Sequence, residues 1–144
     1  DAIKAWESNQ CLEIRRPNYI RPWQHVLEPL YGYLLIAQNS FNKNHLKNSY
    51  NFGPNTSELI SVREIINLAS QFYENPKISF KNDNLFHETN KLLLENSLAK
   101  KDLSYFPKWD VYKGVEETIK WYKSYYQSKD SLDLCISNIN NFMK

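Results

Sequence analysis

Arg21-Pro22-Trp23-Gln24-His25-Val26-Leu27-Glu28-Pro29-Leu30-Tyr31-Gly32-Tyr33-Leu34-Leu35 changes its period halfway along. Up to Val26 the residues suit an extended backbone, on which alternate side chains share a face. Arg21, Trp23 and His25 then point one way, and Pro22, Gln24 and Val26 the other. From Leu27 the apolar positions Leu27, Leu30, Tyr31, Leu34 and Leu35 follow i, i+3, i+4, i+7, i+8, the stripe of an amphipathic helix. Pro29 fits only the first turn of that helix. Pro22 lacks a ladder donor, so Tyr19 to Val26 reads as an edge strand or an irregular crossing segment.

The same alternation of short strands and helices runs outward in both directions. Upstream, Asp1 to Glu7 predicts a short helix capped by Asp1, with Ile3 and Trp6 on one face. Cys11 to Arg15 predicts a strand, and Pro17-Asn18 a turn. Downstream, Asn39 to Asn48 is polar loop, and Tyr50 to Phe52 a strand closed by Gly53-Pro54-Asn55. Ser61 and Glu64 form a capping box ahead of the stripe Val62, Ile65, Ile66, Ala69, Phe72 and Tyr73, which Pro76 ends. Lys77 to Phe80 and Leu92 to Leu94 read as strands, and Leu98 to Leu103 as a short helix. Asp110 caps a longer helix carrying Val111, Val115, Ile119, Tyr122 and Tyr126, and a polar helix runs from Leu132 to Phe142. The fold class is α/β, or α+β if the chain is a fragment. It begins at Asp1 directly into helix, which reads as a piece of something longer.

Composition narrows the function. With 144 residues, 42% of them hydrophobic and 15% aromatic, the chain can build a core. No apolar run approaches the ~20 residues of a membrane-spanning helix. Eighteen basic and sixteen acidic residues are interleaved, giving +2 and no basic block, so charge gives no support to nucleic-acid binding. Cys11 and Cys135 lie far apart with no Cys/His cluster, against a disulfide framework or a structural zinc. Only three glycines occur, Gly32, Gly53 and Gly114, far from one another. A dinucleotide fingerprint or a P-loop needs them clustered. A bound nucleotide would therefore be gripped here by side chains, or by a loop supplied from outside this chain.

Those side chains concentrate at Arg21, Trp23 and His25. A guanidinium forks onto phosphate oxygens and aromatic faces pack on a sugar or base, so the trio suits a phosphorylated, ring-bearing ligand. The bland alternative is a surface strand with Arg21 paired to a carboxylate and Trp23 half in the core. His87-Glu88 is a second candidate, a carboxylate for a ribose diol beside a phosphate donor, against a plain solvated loop. His45 reads as exposed. Tyr73…Lys77 and Tyr125…Lys129 both fit Tyr-x-x-x-Lys. Pro76 breaks the helix the first needs, the second sits at a polar helix end, and ten tyrosines make chance matches unsurprising. Trp109, Trp121, Tyr122, Tyr125 and Tyr126 read as core or interface aromatics.

Arg21-Pro22-Trp23-Gln24-His25-Val26-Leu27-Glu28-Pro29-Leu30, followed by Gly32-Tyr33-Leu34-Leu35, resembles the C-terminal half of CDP-glucose 4,6-dehydratases, extended short-chain dehydrogenase/reductases of the NAD-dependent epimerase/dehydratase superfamily. Ile14 to Asn18, Tyr50 to Asn55, His87-Glu88 through Leu92 and Leu94 to Ser97, Ala99 and Lys100, Phe106 to Trp109, and Trp121 to Lys123 follow in the family's order. Leu103-Ser104-Tyr105-Phe106 departs from it, standing where relatives usually have a Leu-Gly-Trp turn. The resemblance implies that residues 1–144 are the C-terminal substrate-binding lobe, without the main Rossmann half. Arg21 would grip the nucleotide diphosphate, His87 and Glu88 would lie on the ribose and phosphate side, and Trp23 and His25 would line or support the pocket.

By that resemblance the reaction oxidises the sugar at C4 with NAD, eliminates water across C5 and C6, and returns the hydride to C6. The residues for this chemistry lie upstream in relatives, so no catalytic, NAD-binding or metal-ligating residue is assigned in this chain. The lobe alone would be inactive and would expose apolar surface where the two parts pack. The intact enzyme is expected to be a cytoplasmic lyase acting on a soluble nucleotide-sugar, with no membrane or nucleic-acid partner, dimeric or higher through upstream helices. Two alternatives remain open: another nucleotide-sugar epimerase or dehydratase, and a standalone interaction module.

Overall fold

The computed structural model describes residues 1–42, 46–81 and 90–144. The chain opens on α1 (Ala2–Glu7), which buries Trp6. Asp1 stands at its N-cap but makes no side-chain cap bond. β1 (Leu12–Ile14) follows, and the Arg16–Tyr19 turn leads into β2 (Ile20–Arg21) and α2 (Leu27–Asn42). A 3-10 turn at Thr56–Glu58 precedes β3 (Ile60–Ser61) and α3 (Val62–Ser70). Then come β4 (Ile78–Phe80), α4 (Ser97–Leu103), α5 (Val111–Tyr126) and α6 (Ser131–Met143). The mixed helix-and-strand class read from the sequence is borne out.

Among the described residues two small sheets organise these elements. β1 and β4 pair in parallel, Leu12 opposite Ile78 and Ile14 opposite Phe80. β2 pairs antiparallel with β3, Ile20 opposite Ser61 and Arg21 opposite Ile60. The described residues likewise form two cores. Trp6, Leu12, Ala69 and Ile119 centre one, packed by Ile3, Ile66 and Val115. Phe52, Ala99, Leu103 and Tyr105 centre the other, packed by Tyr31, Leu35 and Ile36. The segment from Trp23 to His25 meets both: Trp23 and His25 line a cleft with Ile3, Ile66 and Ile119, and Gln24 bonds the Phe52 carbonyl.

Local signals placed the helices well. The Ser61 hydroxyl accepts from the Glu64 N–H at 3.2 Å while the Glu64 carboxylate accepts from the Ser61 N–H at 2.6 Å, completing the capping box. Asp110 accepts from the Lys113 N–H at 2.7 Å and starts α5. Ser104, at the place where the resemblance implies a glycine, ends α4 in the left-handed region at φ 55°. The turn forms without the glycine, at a conformational cost that a Cβ imposes.

Five expectations need correction. Tyr19 to Val26 is not a continuous extended piece: β2 stops at Arg21, and the Trp23 N–H folds back onto the Arg21 carbonyl at 2.9 Å. Leu92 to Leu94 is not a strand. Ile20 donates to Asn90 and accepts from Leu92, a single parallel bridge at Lys91. The next rung would need an N–H from Pro22, which has none. Tyr50 to Phe52 is not a strand either, because side chains take its neighbouring carbonyls: Gln24 Nε2 donates to Phe52 O at 2.9 Å and Asn96 Nδ2 to Gly53 O at 2.8 Å. α2 runs to Asn42, past the start expected for the polar loop, with Asn39 Nδ2 bonding the Leu35 carbonyl within the helix. α3 ends at Ser70, short of Tyr73, where Phe72 and Tyr73 turn back onto the first core through tight N–H bonds to Ala69 and Ser70.

The face of α2 also differs from the expected stripe. Glu28, Tyr31, Gly32, Leu35 and Ile36 turn inward, whereas Leu30 and Leu34 are 45% and 65% exposed. The helix is apolar around most of its circumference, and period alone could not choose which side meets this chain's own core.

Candidate functional site

Arg21 is placed by a turn and a strand. Arg16-Pro17-Asn18-Tyr19 closes with the Tyr19 N–H on the Arg16 carbonyl at 3.3 Å, Pro17 occupying its favoured second position. Pro17 is fully buried. Its carbonyl accepts from the Arg63 N–H at 2.7 Å, and the Tyr19 carbonyl from the Val62 N–H at 2.8 Å, so the turn is fastened to the start of α3. The Arg21 guanidinium lies 5.0 Å from the Tyr19 ring centroid and donates to the Ile20 carbonyl at 2.9 Å. Arg16 lies 5.3 Å from the same centroid. Reading the sequence singled out Arg21 alone. The turn dipeptide brings Arg16 back to Tyr19, and strand alternation puts Tyr19 on the side of Arg21.

Trp23 and His25 go elsewhere. Both line a cleft of about 260 Å³ bounded by Ile3, Ile66, Gly114 and Ile119, which Arg21 does not line. Among the described residues the buried Trp23 indole N–H has no hydrogen-bond partner, nor does Gln24 Oε1. On the other side of His25 a second cleft of about 560 Å³ opens between Leu27, Leu30, Trp121, Tyr122 and Ile139. His25 itself is the cap of α2. Its Nδ1 accepts from the Leu27 N–H at 3.2 Å and its carbonyl from the Glu28 N–H at 3.0 Å, while Pro29 has no donor to satisfy. The bond to Nδ1 requires a neutral ring. Burial holds the imidazole below its ordinary value, with the Glu117 carboxylate opposing. Trp109 packs edge-on at 4.9 Å and in turn meets Phe142 at 5.0 Å.

Glu28 went unremarked in the sequence, although it shares the inward face with Tyr31, Gly32 and Leu35. It is fully buried and accepts from the Lys108 N–H at 3.0 and 3.2 Å and the Trp109 N–H at 2.8 Å. Burial pushes its carboxyl above the usual range, against the pull of those N–H groups. Burial, and then the charge of Glu28, push the Tyr105 hydroxyl far up as well. These are positioning interactions, and they fix the segment after α4 against the start of α2.

The remaining candidates separate cleanly. His45, His87 and Glu88 lie outside the described residues. Tyr73 donates to Glu7 at 3.0 Å, and burial and Glu7 raise its hydroxyl strongly, the opposite of an activated tyrosine. Lys77 instead reaches the Asn9 carbonyl at 3.5 Å. Tyr125 stacks on Trp121 at 5.3 Å, and Lys129 lies beyond the end of α5. All three glycines serve packing: a Cβ would fall 2.5 Å from Phe52 at Gly32, 2.8 Å from Leu94 at Gly53, and 3.4 Å from His25 at Gly114. None has positive φ. The described residues thus form no glycine cradle suited to a dinucleotide. Among them no group of three or more His, Cys, Asp or Glu is arranged to hold a metal, and no helix is long and apolar enough to cross a membrane.

Comparison with known proteins bears out the resemblance. The chain is 31% identical over 145 residues to a CDP-glucose 4,6-dehydratase of Salmonella typhimurium (strain LT2), covering 99% of this chain and 40% of that protein. It spans about two fifths of that relative's length. No protein-family model matches. A UDP-glucuronic acid 4-epimerase from Bacillus cereus, solved with UDP-glucuronic acid and NAD, superposes with a TM-score of 0.72 at 20% identity, over 87% of this chain and 39% of that one. A dTDP-glucose 4,6-dehydratase from Bacillus anthracis, solved with NAD, gives 0.68 at 16% identity, over 85% and 37%. The solved structures establish the fold: the chain folds like part of these enzymes.

Proposed function

We propose that this chain is the nucleotide-sugar-binding portion of a CDP-glucose 4,6-dehydratase, a lyase that converts CDP-glucose to CDP-4-dehydro-6-deoxyglucose and water. The observation carrying this reading is the match along 99% of the chain to such a dehydratase, with the Arg21-to-Leu35 stretch inside it. Arg21 holds the diphosphate, with His87 and Glu88 on the ribose and phosphate side. Trp23 and His25 support the pocket wall, His25 by capping the helix that follows it. NAD supplies the hydride acceptor in such an enzyme. With no cradle among the described residues, it belongs to a part of the enzyme outside this chain, as do the groups for water elimination. Alone, the chain binds without turnover. The outward apolar side chains Val26, Leu30 and Leu34 are where that other part packs. The intact enzyme is cytoplasmic and dimeric or higher.

Calorimetric titration of the chain with CDP-glucose, beside Arg21→Ala, tests the reading. Losing one charge-assisted phosphate contact weakens binding about ten- to a hundredfold. Affinity unchanged in Arg21→Ala removes that residue from the phosphate site. A folded chain that binds nothing at millimolar ligand favours the interaction-module alternative.

A further inference from the structure

We propose that α6 pairs with α6 of a second copy of this chain, the two helices running antiparallel about a two-fold axis. Leu132, Ile136, Ile139 and Met143 are 65%, 48%, 46% and 55% exposed. Their spacing of four, three and four residues sets them on one stripe of the helix. α6 meets its own chain on another side, through Leu134, Asn138 and the buried Phe142, against which Tyr31 and Trp109 pack edge-on. Ile139 also lines the cleft beside Leu30, whereas Leu132, Ile136 and Met143 lie outside it, so whatever fills that cleft leaves most of the stripe uncovered. A four-three-four spacing reads the same in both directions. In an antiparallel pair centred between Ser137 and Asn138, Leu132 meets Met143 of the second copy and Ile136 meets Ile139. Charge fits the same arrangement. Asp133 and Lys144 are both exposed and lie eleven residues, or about three turns, apart on one flank of the stripe. Antiparallel pairing brings Asp133 of each copy to Lys144 of the other, and a parallel pair would set each charge beside its like. From Leu134 to Met143 the helix carries no charged residue, so no like charges meet at the axis. Four side chains per copy fall short of the ~800 Å² that each partner buries in a standard interface, so the dimer is weak, with a Kd on the order of 100 μM. The inference stands apart from the nucleotide-sugar reading and from any interface elsewhere in the enzyme.

Sedimentation equilibrium of the chain, loaded from about 10 μM to about 1 mM, reads the association directly. Wild type is compared with Ile136→Asp, Asp133→Lys, Lys144→Glu, the double variant Asp133→Lys/Lys144→Glu and Leu30→Gln/Leu34→Gln, with a thermal melt for each. Wild type is expected to pass from monomer to dimer across that range. Ile136→Asp, which sets a charge into the stripe on both sides of the axis, weakens the dimer more than about tenfold. Each single charge reversal weakens it about three- to tenfold, and the double variant, which exchanges the two charges, returns to within about twofold of wild type. If Ile136→Asp has no melting transition, Leu132→Asp replaces it, at a site 65% exposed. A folded wild type that stays monomeric at the highest loading overturns the proposal. Association that Ile136→Asp, or Leu132→Asp where it stands in, leaves unchanged also overturns it, and loss in Leu30→Gln/Leu34→Gln would then move the contact to α2. Single reversals that weaken the dimer without recovery in the double variant overturn the antiparallel pairing.

Discussion

The Trp109 N–H donates to the Glu28 carboxylate at 2.8 Å across 81 positions of sequence. With the two bonds from Lys108, that carboxylate fastens the segment following α4 to the first turn of α2, beside the His25 cap. Glu28→Ala strands two part-buried N–H donors and is expected to cost about 2 kcal/mol. Glu28→Gln keeps one acceptor oxygen and should cost less. Urea unfolding of both variants checks this, and equal losses would show that the hydrogen bonds are not what Glu28 contributes.

His25 gives the chain an acid-side weakness. Its folded pKa lies below the ordinary 6.5, so the unfolded state takes up a proton first as pH falls. Stability from this group is intact above 6.5 and is lost as pH drops below that value towards the folded pKa. His25→Asn keeps a capping acceptor but cannot titrate. Between about pH 7.5 and 5.5 the wild type should lose more unfolding free energy than His25→Asn. Parallel losses would sink the assignment.

Gly32 is expected to reject the substitution that a helix interior normally welcomes. Alanine there gains about 1 kcal/mol of propensity. Its Cβ, however, would lie 2.5 Å from the Phe52 ring, which packs in the second core against Tyr105. Overpacking of that kind costs about 1–3 kcal/mol, so Gly32→Ala should lower the melting temperature. A higher melting temperature would mean that Phe52 moves freely.

Ser104 runs the other way. A serine at φ 55° carries a left-handed penalty of about 1–2 kcal/mol that glycine escapes. Glycine gives back about 0.4–1 kcal/mol through the unfolded chain. Ser104→Gly is therefore expected to stabilise modestly in a denaturant titration, and a loss would point to an unrecognised role for the serine side chain.

Leu30 and Leu34 face solvent in this chain. Replacing both with glutamine should change its unfolding free energy by less than about 0.5 kcal/mol per site. Binding of an apolar dye should fall at the same time. A large destabilisation would show that these leucines are buried by contacts within the chain itself.

The sequence determined what short-range chemistry can encode. The Ser61–Glu64 box, the Asp110 cap, the Pro17-Asn18 turn and the helices behind them follow from residues within four positions of one another. Composition likewise left no glycine cradle in the chain, and the Arg-Pro-Trp-Gln-His-Val stretch carried the family resemblance. Only the tertiary structure decided which apolar runs became strands. Pro22 removed the rung that Leu92 to Leu94 needed, and Gln24 and Asn96 took the carbonyls around Phe52. It also decided which face of α2 turned inward and gave His25 and Glu28 structural occupations. It set Trp23 and His25 at a cleft that Arg21 does not line, and gathered Arg16 and Arg21 around Tyr19. A hydrogen bond across 81 residues leaves no period or spacing in the sequence, since the partner's identity is fixed only when the backbone between them has folded.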